Sequence, residues 1–524
     1  MTVLSCFSSL NAIRETAGPA STRGLNDDLV AQFVACDPRL ARAIEMAASN
    51  REAMQPTHGE LFRLAEEELC RRLQEHILNF YPASSINPYV PLAALGPWIV
   101  TTHGAVVHDS GGYGMLGMGH APATVVAAMS EPWVMANVMT PSFSQHRLTE
   151  RLRREIGRSR GRCPFGRFVF LNSGSEAVTF TCRVADIHAR LMTDPGGRHA
   201  GKKVKCIAIV DSFHGRTEGP ARLSHSCRTG YAKHLASFRD PDNIVFVPIN
   251  DVHTLHETFA RAAEDGTFFE GLFVEPVMGE GVPGLALSVE FYNEARALSR
   301  AADTLLIVDS IQAALRAQGC LSIVDYPGFT ACEPPDMESY SKALNAGQYP
   351  LSVIALTDEV ATKYVTGLYG NTMTGNPRAM EVACAVIDSI TDEIRANICE
   401  RGREFRAKLE QLAVAFPGAI DQVVGTGLMV CAILNPKRYR VLGEGGFEHY
   451  LRSHGVEMIH GGDCGLRFTP CFDVTSAEID MIVSMIRRGL AELCNSVPAN
   501  TEDPVAEVSA KATLPAGRAG ASSW

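Results

Sequence analysis

The chain has 524 residues, of which 46% are hydrophobic and 20% are charged, and this globular composition excludes a short binding module and a disordered scaffold. Its 48 basic and 58 acidic residues give a formal net charge of −10, so no global positive field would hold a nucleic acid or an acidic membrane face. We therefore expect a folded protein with no nucleic-acid or membrane partner.

Cysteine usage and the start of the chain predict a cytoplasmic location. The 15 cysteines are an odd number and include no CxxC pair, which is typical of reduced thiols and excludes a zinc ribbon. No apolar run approaches the roughly 20 residues that span a bilayer, and the first residues lack the basic start of a secretory signal.

Residues 1–95 predict a helical N-terminal extension, because stretches such as 61–69 repeat apolar residues at helical spacing. From Phe168 to Leu356 short apolar runs alternate with helical stretches. The apolar runs are 168–171, 204–210, 271–274, 304–308 and 350–356. Strands that are apolar on both faces and alternate with helices are typical of a parallel sheet covered by helices, so we predict a large α/β domain over 96–388.

Near Asp388 the pattern changes to long amphipathic helices with few strands, which predicts a small α+β C-terminal domain over 389–497. We expect part of this small domain to come from the N-terminal end of the 96–388 range. Residues 498–524 are rich in Ala, Gly and Ser, which predicts a disordered tail.

The first chemical signal is a small polar turn, Ser173, Gly174 and Ser175, between an apolar strand and a helical pattern. Such a turn directs free backbone N–H groups and a helix dipole at one point, which suits a phosphate. The alternative is an ordinary serine N-cap.

The second signal is Asp309, at the end of the apolar run 304–308. Ligands bind at the carboxyl ends of parallel strands, so this carboxylate could hold a cation or a protonated heterocycle, and Gln312 could reach the same ligand. The alternative is an N-cap aspartate.

The third signal is Lys342, the only formally charged residue between Glu338 and Asp358. A desolvated lysine loses its proton readily and becomes a nucleophile toward an aldehyde. The alternative is a solvated surface lysine. A phosphate, a protonated ring nitrogen and an aldehyde are together the groups of pyridoxal 5'-phosphate (PLP).

The stretch 96–472 resembles the class III, or ornithine-type, aminotransferases, a branch of the fold-type I PLP enzymes. The resemblance implies a large, mostly parallel seven-stranded sheet. Residues 172–177 resemble the family's phosphate turn, and 213–217 resemble its aromatic-His-Gly-Arg-Thr segment. By that match Phe213 and His214 would contact the cofactor, and Arg216 would bind a substrate carboxylate.

Further motifs of the family follow in order. Residues 275–280 are similar to Glu-Pro-x-x-Gly-Glu, which implies Glu275 near the cofactor and Glu280 able to pair with an active-site arginine. Asp309 and Gln312 stand in an Asp-x-x-Gln element, where they would contact the pyridine nitrogen and the ring hydroxyl side. Residues 466–470 resemble an Arg-x-x-Pro element, in which Arg467 would clamp the α-carboxylate.

Residues 372–377 look like the family's Thr-x-x-Gly-Asn-Pro segment, whose threonine reaches the phosphate of the neighbouring subunit. Thr372 would take that role. The resemblance therefore implies a homodimer with shared active sites.

The function predicted from this resemblance is transamination between an amino acid, or another carboxylate-bearing amine, and a keto acid, by way of a Lys342 Schiff base and a quinonoid. Departures from the family keep alternatives open. Ser310 replaces the usual glutamate, and the loops 193–203 and 320–335 are unusual. One alternative diverts the quinonoid to β/γ-elimination or replacement, decarboxylation, racemisation or C–C bond formation, for example on S-adenosylmethionine. A second is an inactive PLP-fold binding protein.

Competing motifs are weaker. Residues 112–117 fit GxGxxG without an adjacent βαβ unit, so we expect turns near the cofactor there rather than a dinucleotide site. The histidines lack the spacing of zinc ligands, and we expect no catalytic metal.

Overall fold

The structure is a computed structural model that describes residues 2–239 and 243–494. The predicted tail over 498–524 lies outside the described residues. Within the described ranges, no helix combines the length and the apolar character that crossing a membrane would require.

The α-helices of the described residues are α1 (Val3–Thr16), α2 (Asp27–Cys36), α3 (Pro38–His58), α4 (Glu66–Gln74), α5 (Ala123–Ser130), α6 (Phe143–Glu155), α7 (Gly174–Thr193), α8 (Glu218–Leu223), α9 (Arg228–His234), α10 (Val252–Glu264), α11 (Val289–Ala301), α12 (Asp358–Ala361), α13 (Pro377–Ser389), α14 (Asp392–Ala415), α15 (Phe447–Ser453) and α16 (Ser476–Glu492).

The strands are β1 (Pro91–Leu95), β2 (Trp98–Thr101), β3 (Val106–Asp109), β4 (Arg167–Leu171), β5 (Lys203–Ile209), β6 (Ile244–Val247), β7 (Thr267–Val274), β8 (Leu305–Asp309), β9 (Met337–Tyr340), β10 (Ser352–Leu356), β11 (Ile420–Thr426), β12 (Met429–Leu434), β13 (Val456–Glu457), β14 (Ile459–Gly461) and β15 (Gly465–Phe468).

The large sheet has seven strands in the order β4-β10-β9-β8-β7-β5-β6, which confirms the predicted α/β fold. The strand β10 is antiparallel to both neighbours, and the other pairs are parallel. The strands β8, β9 and β10 are buried along their whole length, as a sheet covered on both faces requires. The carboxyl ends of β4, β5, β7, β8 and β9 therefore meet at one edge.

The N-terminal extension is helical only as far as α4 and its following turns. The last residues of the predicted helical range, Pro91–Leu95, instead form β1, which pairs with β2. Alanine and leucine favour helices, but antiparallel pairing and burial against α3 outweigh that preference here.

Two smaller sheets flank the large one. In the first, β1, β2 and β3 are antiparallel, and β13 joins β3 in parallel through Val456 and His108. In the second, the order is β11-β12-β15-β14, and α14 packs on β11, β12 and α16. An N-terminal segment and a C-terminal segment thus share one sheet.

A buried arginine ties the segment before β1 to the C-terminal part of the chain. Arg452, only 2% exposed, donates to the Glu448 carboxylate at 2.7 Å and lies 3.2 Å from Glu457. It also donates to the Ser85 carbonyl at 2.8 Å, and the Tyr89 hydroxyl donates to Glu457 at 2.8 Å. We name residues 79–89 the strap, because these contacts hold it across α15 and β13.

We predict that Arg452→Met destabilises the protein by about 3–5 kcal/mol, because it leaves two carboxylates buried without their cation. The free energy of unfolding in urea measures this effect. Arg406→Met is the matched control, since Arg406 and its partner Glu410 are each about half exposed and such a pair contributes at most about 1 kcal/mol. Equal losses in the two variants would contradict the prediction.

Candidate active site

The carboxyl edge of the large sheet encloses a cavity of about 360 Å³, a size in the range of small-molecule sites. Most of the predicted site residues line it: Ser173, Gly174, Ser175, Phe213, His214, Glu275, Asp309, Gln312 and Lys342. The remaining predicted residues, Arg216, Glu280, Arg467 and Thr372, are not part of this lining.

The predicted phosphate turn is the first turn of α7. Ser173 is its N-cap: the hydroxyl accepts from the Glu176 N–H at 3.3 Å, and the Glu176 carboxylate accepts from the Ser173 N–H at 3.1 Å. This capping box leaves the N–H groups of Gly174 and Ser175 without an intrahelical acceptor, and both residues line the cavity. The positive end of the helix dipole points the same way.

A glycine lets the next loop approach this turn. Gly215 has φ of 125°, and a Cβ there would lie 2.5 Å from the Ser175 hydroxyl oxygen. Only glycine tolerates both the conformation and the contact. The loop after β5 therefore closes directly over the first turn of α7.

Asp309 is the last residue of β8 and is 5% exposed. Its carboxylate has several polar partners. The register of β8 and β9 pairs Asp309 with Ser339, whose hydroxyl donates to Asp309 Oδ1 at 3.2 Å. His214 Nδ1 donates to Oδ2 at 2.9 Å, and the Ile311 N–H donates to Oδ1 at 3.1 Å. Both carboxylate oxygens are thus fixed in orientation.

Glu275 and His214 stand beside Asp309 with displaced pKa values. Burial raises the pKa of Glu275 to about 7, against the opposing charge of His214 and with that of Asp309. Burial alone would lower the pKa of His214, but its hydrogen bond to Asp309 and the charges of Asp309 and Glu275 raise it above the usual value. Glu275 also accepts from the Phe213 and Gly279 N–H groups at 2.8 Å.

Lys342 enters the cavity two residues after β9 ends. Its φ of 47° is left-handed, a strained conformation for lysine that is often found at functional sites. Burial lowers its pKa to about 8, and the positive charge of Arg467 acts in the same direction, whereas the negative charges of Glu280, Asp309 and Glu275 oppose the change. Among the described residues no carboxylate forms an ion pair with its amine, so this amine is poised to lose its proton near neutral pH.

Arg467 and Glu280 form an ion pair at the cavity margin. Arg467 Nη1 lies 3.4 Å from Glu280 Oε1 and donates to Gln312 Oε1 at 3.4 Å and to the Gly279 carbonyl. The antiparallel pairing of Arg467 with Cys431 holds the guanidinium at this position. The pair is therefore connected to the cofactor-side residues through Gln312.

Arg216 lies among aromatic rings. Its guanidinium carbon is 5.6 Å from the Phe80 ring, 5.7 Å from the Tyr81 ring and 5.4 Å from the Phe213 ring. Phe80 and Tyr81 were not predicted from the sequence, because their contact with Arg216 spans more than 130 residues. Two adjacent aromatic residues before a proline were the only local signal.

Thr372 lines a different cavity, of about 690 Å³, together with Val138 and Met139. Its neighbour Asn371 donates to Glu176 at 2.8 Å and accepts from the Asn172 side chain at 3.2 Å. The segment of Thr372 therefore adjoins the phosphate turn from outside the chain's own active site.

Ser310 stands where the resembling family has a glutamate, and the structure gives a reason for this difference. Its hydroxyl donates to Glu338, a fully buried carboxylate on β9 that also accepts from Ser322 and from the Ile323 N–H. Burial raises the pKa of Glu338 to about 7. A second carboxylate at position 310 would lie against Glu338, so a serine is the compatible residue here.

The donors present fit PLP. The cavity combines free N–H groups for a phosphate, a fixed carboxylate for a ring nitrogen and an amine for an aldehyde. In addition, His214 Nε2 and Gln312 Nε2 are buried and have no partner among the described residues. Such orphaned groups indicate a polar ligand that completes the site.

Comparisons with known proteins agree with this geometry. The sequence model of the family described as aminotransferase class-III matches residues 81–490. An acetylornithine aminotransferase of Neisseria meningitidis is 30% identical over 78% of this chain and 96% of its own length. An ornithine aminotransferase of Staphylococcus epidermidis is 28% identical over 79% and 98%.

Solved structures agree in fold. The ornithine aminotransferase of Toxoplasma gondii superposes with a TM-score of 0.69 at 21% identity, over 82% of this chain and 94% of that one. The likeness confirms the fold-type I architecture. Because the family match spans most of the sequence, the chain belongs to the class III aminotransferases, which are PLP-dependent enzymes.

Proposed function

We propose that Lys342 carries the cofactor covalently and that Asp309, His214 and the first turn of α7 orient it for transamination of an amino acid with a keto acid. The observation that supports this assignment is the convergence of one depressed-pKa amine, one fixed carboxylate and one helix N-terminus in a single cavity. When bound, PLP supplies an aldehyde that combines with amines and a protonated ring that accepts electrons from Cα.

Each residue around the cofactor ring has a separate role. The N–H groups of Gly174 and Ser175 bind the phosphate, and Phe213 covers a ring face. Asp309 holds a proton on the ring nitrogen, because His214 and Ser339 fix both of its oxygens. Gln312 donates from Nε2 toward the ring hydroxyl side.

Lys342 also moves the reacting proton. With a pKa of about 8, the free amine of Lys342 would be about half unprotonated at pH 8 and mostly unprotonated above it. An amine in that state can take the proton from the substrate Cα and return it to the cofactor side. The same residue therefore anchors the cofactor and serves as the general base.

The arginines at the margin suit carboxylate-bearing substrates. Arg216 forms no ion pair with a carboxylate among the described residues, whereas Arg467 is paired with Glu280. Arg216 thus offers a guanidinium without a carboxylate partner to the first substrate, and Arg467 becomes available when Glu280 moves away. The names of the relatives, acetylornithine and ornithine aminotransferases, support an ornithine-type donor.

The exposed apolar surface around Thr372 supports a homodimer. Val138 is 63% exposed and Met139 82%, and both line the cavity that Thr372 lines, while Val134 and Phe143 nearby in the sequence are 84% and 80% exposed. Exposed apolar patches of this kind are typical of subunit interfaces. In a symmetric pair each Thr372 would reach the partner's phosphate turn.

We predict that the purified protein with bound PLP converts ornithine or N-acetylornithine, with 2-oxoglutarate as acceptor, and that the amino donor alone turns the cofactor into its amine form. Lys342→Ala should reduce turnover by at least about 10³-fold, because anchor and base are lost together. Lys437→Ala, at an exposed lysine, is the control. Consumption of a donor without the amine form would favour elimination or another outcome.

The lowered pKa of Lys342 predicts how cofactor uptake depends on pH. Only the unprotonated amine attacks the aldehyde, so the rate of PLP attachment to cofactor-free enzyme should rise through neutral pH and level off above about 8. Stopped-flow absorbance between pH 6 and 10 measures this rate. A rate that still rises steeply between pH 9 and 10, as for a solvated lysine with a pKa of about 10.4, would contradict the assignment.

The dimer proposal predicts that Met139→Glu shifts the protein toward monomer, because it places a charge in the apolar patch. Light scattering at micromolar concentration measures the mass. Leu191→Glu is the matched control, at an exposed leucine of α7 that does not line the Thr372 cavity. A wild-type protein that is monomeric at that concentration would overturn the proposal.

A further inference from the structure

The strap contributes a phenol to the mouth of the active site. The Tyr81 N–H donates to Asn79 Oδ1 at 3.0 Å, which forms a local turn, and the Tyr81 ring lies 6.5 Å from the His460 ring. The Phe80 and Tyr81 ring centroids are 4.7 Å apart. This turn brings two adjacent aromatic side chains to the same guanidinium, that of Arg216.

The Tyr81 phenol is affected by the charges of Arg216, Glu280 and Arg467. Burial and the charge of Glu280 raise the pKa of the Tyr81 phenol, while the charge and hydrogen bonding of Arg216 and the charge of Arg467 oppose that rise. All three charged groups therefore lie close to the phenol. Glu280 pairs with Arg467 at 3.4 Å and forms no ion pair with Arg216.

An arginine flanked by aromatic rings keeps a restricted orientation. Rings near a guanidinium face leave its in-plane N–H groups free for a carboxylate, and the attraction is worth about 0.5–1 kcal/mol per ring at partly exposed sites. Phe213 comes from the loop after β5, whereas Phe80 and Tyr81 come from the strap. The direction of Arg216 thus depends on an N-terminal segment.

We propose that Tyr81 is a positioning residue that holds Arg216 in the orientation for a substrate carboxylate. This inference rests on the proposed function and deepens it, since it names the residue that makes Arg216 selective for carboxylate-bearing ligands. The ligand class is a small aliphatic carboxylate, such as the carboxylate end of an amino acid or a keto acid.

The position of Tyr81 is itself fixed from the C-terminal part of the chain. Arg452 holds the strap at the Ser85 carbonyl, and its partner Glu448 lies 3.3 Å from His460 Nδ1. His460 in turn meets the Tyr81 ring edge-on. One buried cluster therefore supports both the strap and the imidazole that contacts the phenol.

The test is a double-mutant cycle on glutarate binding to the PLP-loaded enzyme, measured by isothermal titration calorimetry. Tyr81→Phe removes only the hydroxyl and should weaken glutarate binding about tenfold, the effect of one hydrogen bond to a charged group. Arg216→Met should weaken it further. The double variant should bind no more weakly than Arg216→Met, because the phenol acts through the guanidinium.

Kinetics separate positioning from a structural role. With an active amino donor, Tyr81→Phe should raise KM about tenfold and leave kcat within about twofold, because Lys342 and the ring contacts are untouched. Leu78→Ala is the control, since Leu78 is fully exposed in the adjoining residues. An equal fall in kcat, or additive losses in the cycle, would overturn the proposal.

Failure of this proposal can be told apart from failure of the proposed function. A wild-type protein that loads PLP and transaminates but does not bind glutarate, or binds it equally in Arg216→Met, refutes the role of Tyr81 alone. A wild-type protein that takes up no PLP refutes the proposed function, and glutarate calorimetry on that protein still decides whether Tyr81 and Arg216 act together.

Discussion

Parallel pairing of β8 with β9 is the constraint on which the site depends. The pairing sets Asp309 opposite Ser339, and the chain then needs only two residues after β9 to bring Lys342 to the same edge. The neighbouring strand β7 delivers Glu275 by the same rule. Because backbone hydrogen bonds fix this register, the acid and the amine keep their separation without a direct contact between them.

Residues at strand ends were predictable from the sequence, and contacts between distant segments were not. One chemically distinct group follows or interrupts an apolar stretch at Asp309, at Lys342 and at the turn of Ser173. This local pattern is sufficient to predict them as site residues. Strand β9 gave no such run, because its Glu338 is a buried carboxylate whose partners, Ser310 and Ser322, come from elsewhere in the chain. Tyr81 was not predicted either, because its partner Arg216 is also distant in the sequence.

The N-terminal extension illustrates how tertiary pairing outweighs local preference. Most of its composition favours helix, and α1 to α4 follow that preference. Strand β1 does not, because β2 supplies an antiparallel partner. The strap contains Pro82 and Pro88, which disfavour helix, and it is held by Arg452 and Glu457 through the Ser85 carbonyl and the Tyr89 hydroxyl. The extension thereby packs against Arg216 next to the active-site cavity.

The hydrogen bond from Asn371 to Glu176 has a consequence for how the protein retains its vitamin. Glu176 completes the N-terminal cap of α7, so the Thr372 segment and the predicted phosphate turn share one carboxylate. Any subunit that covers the patch would steady that cap, and dilution to free monomers would loosen it. Retention of the vitamin would then vary with protein concentration, which links assembly to cofactor loss.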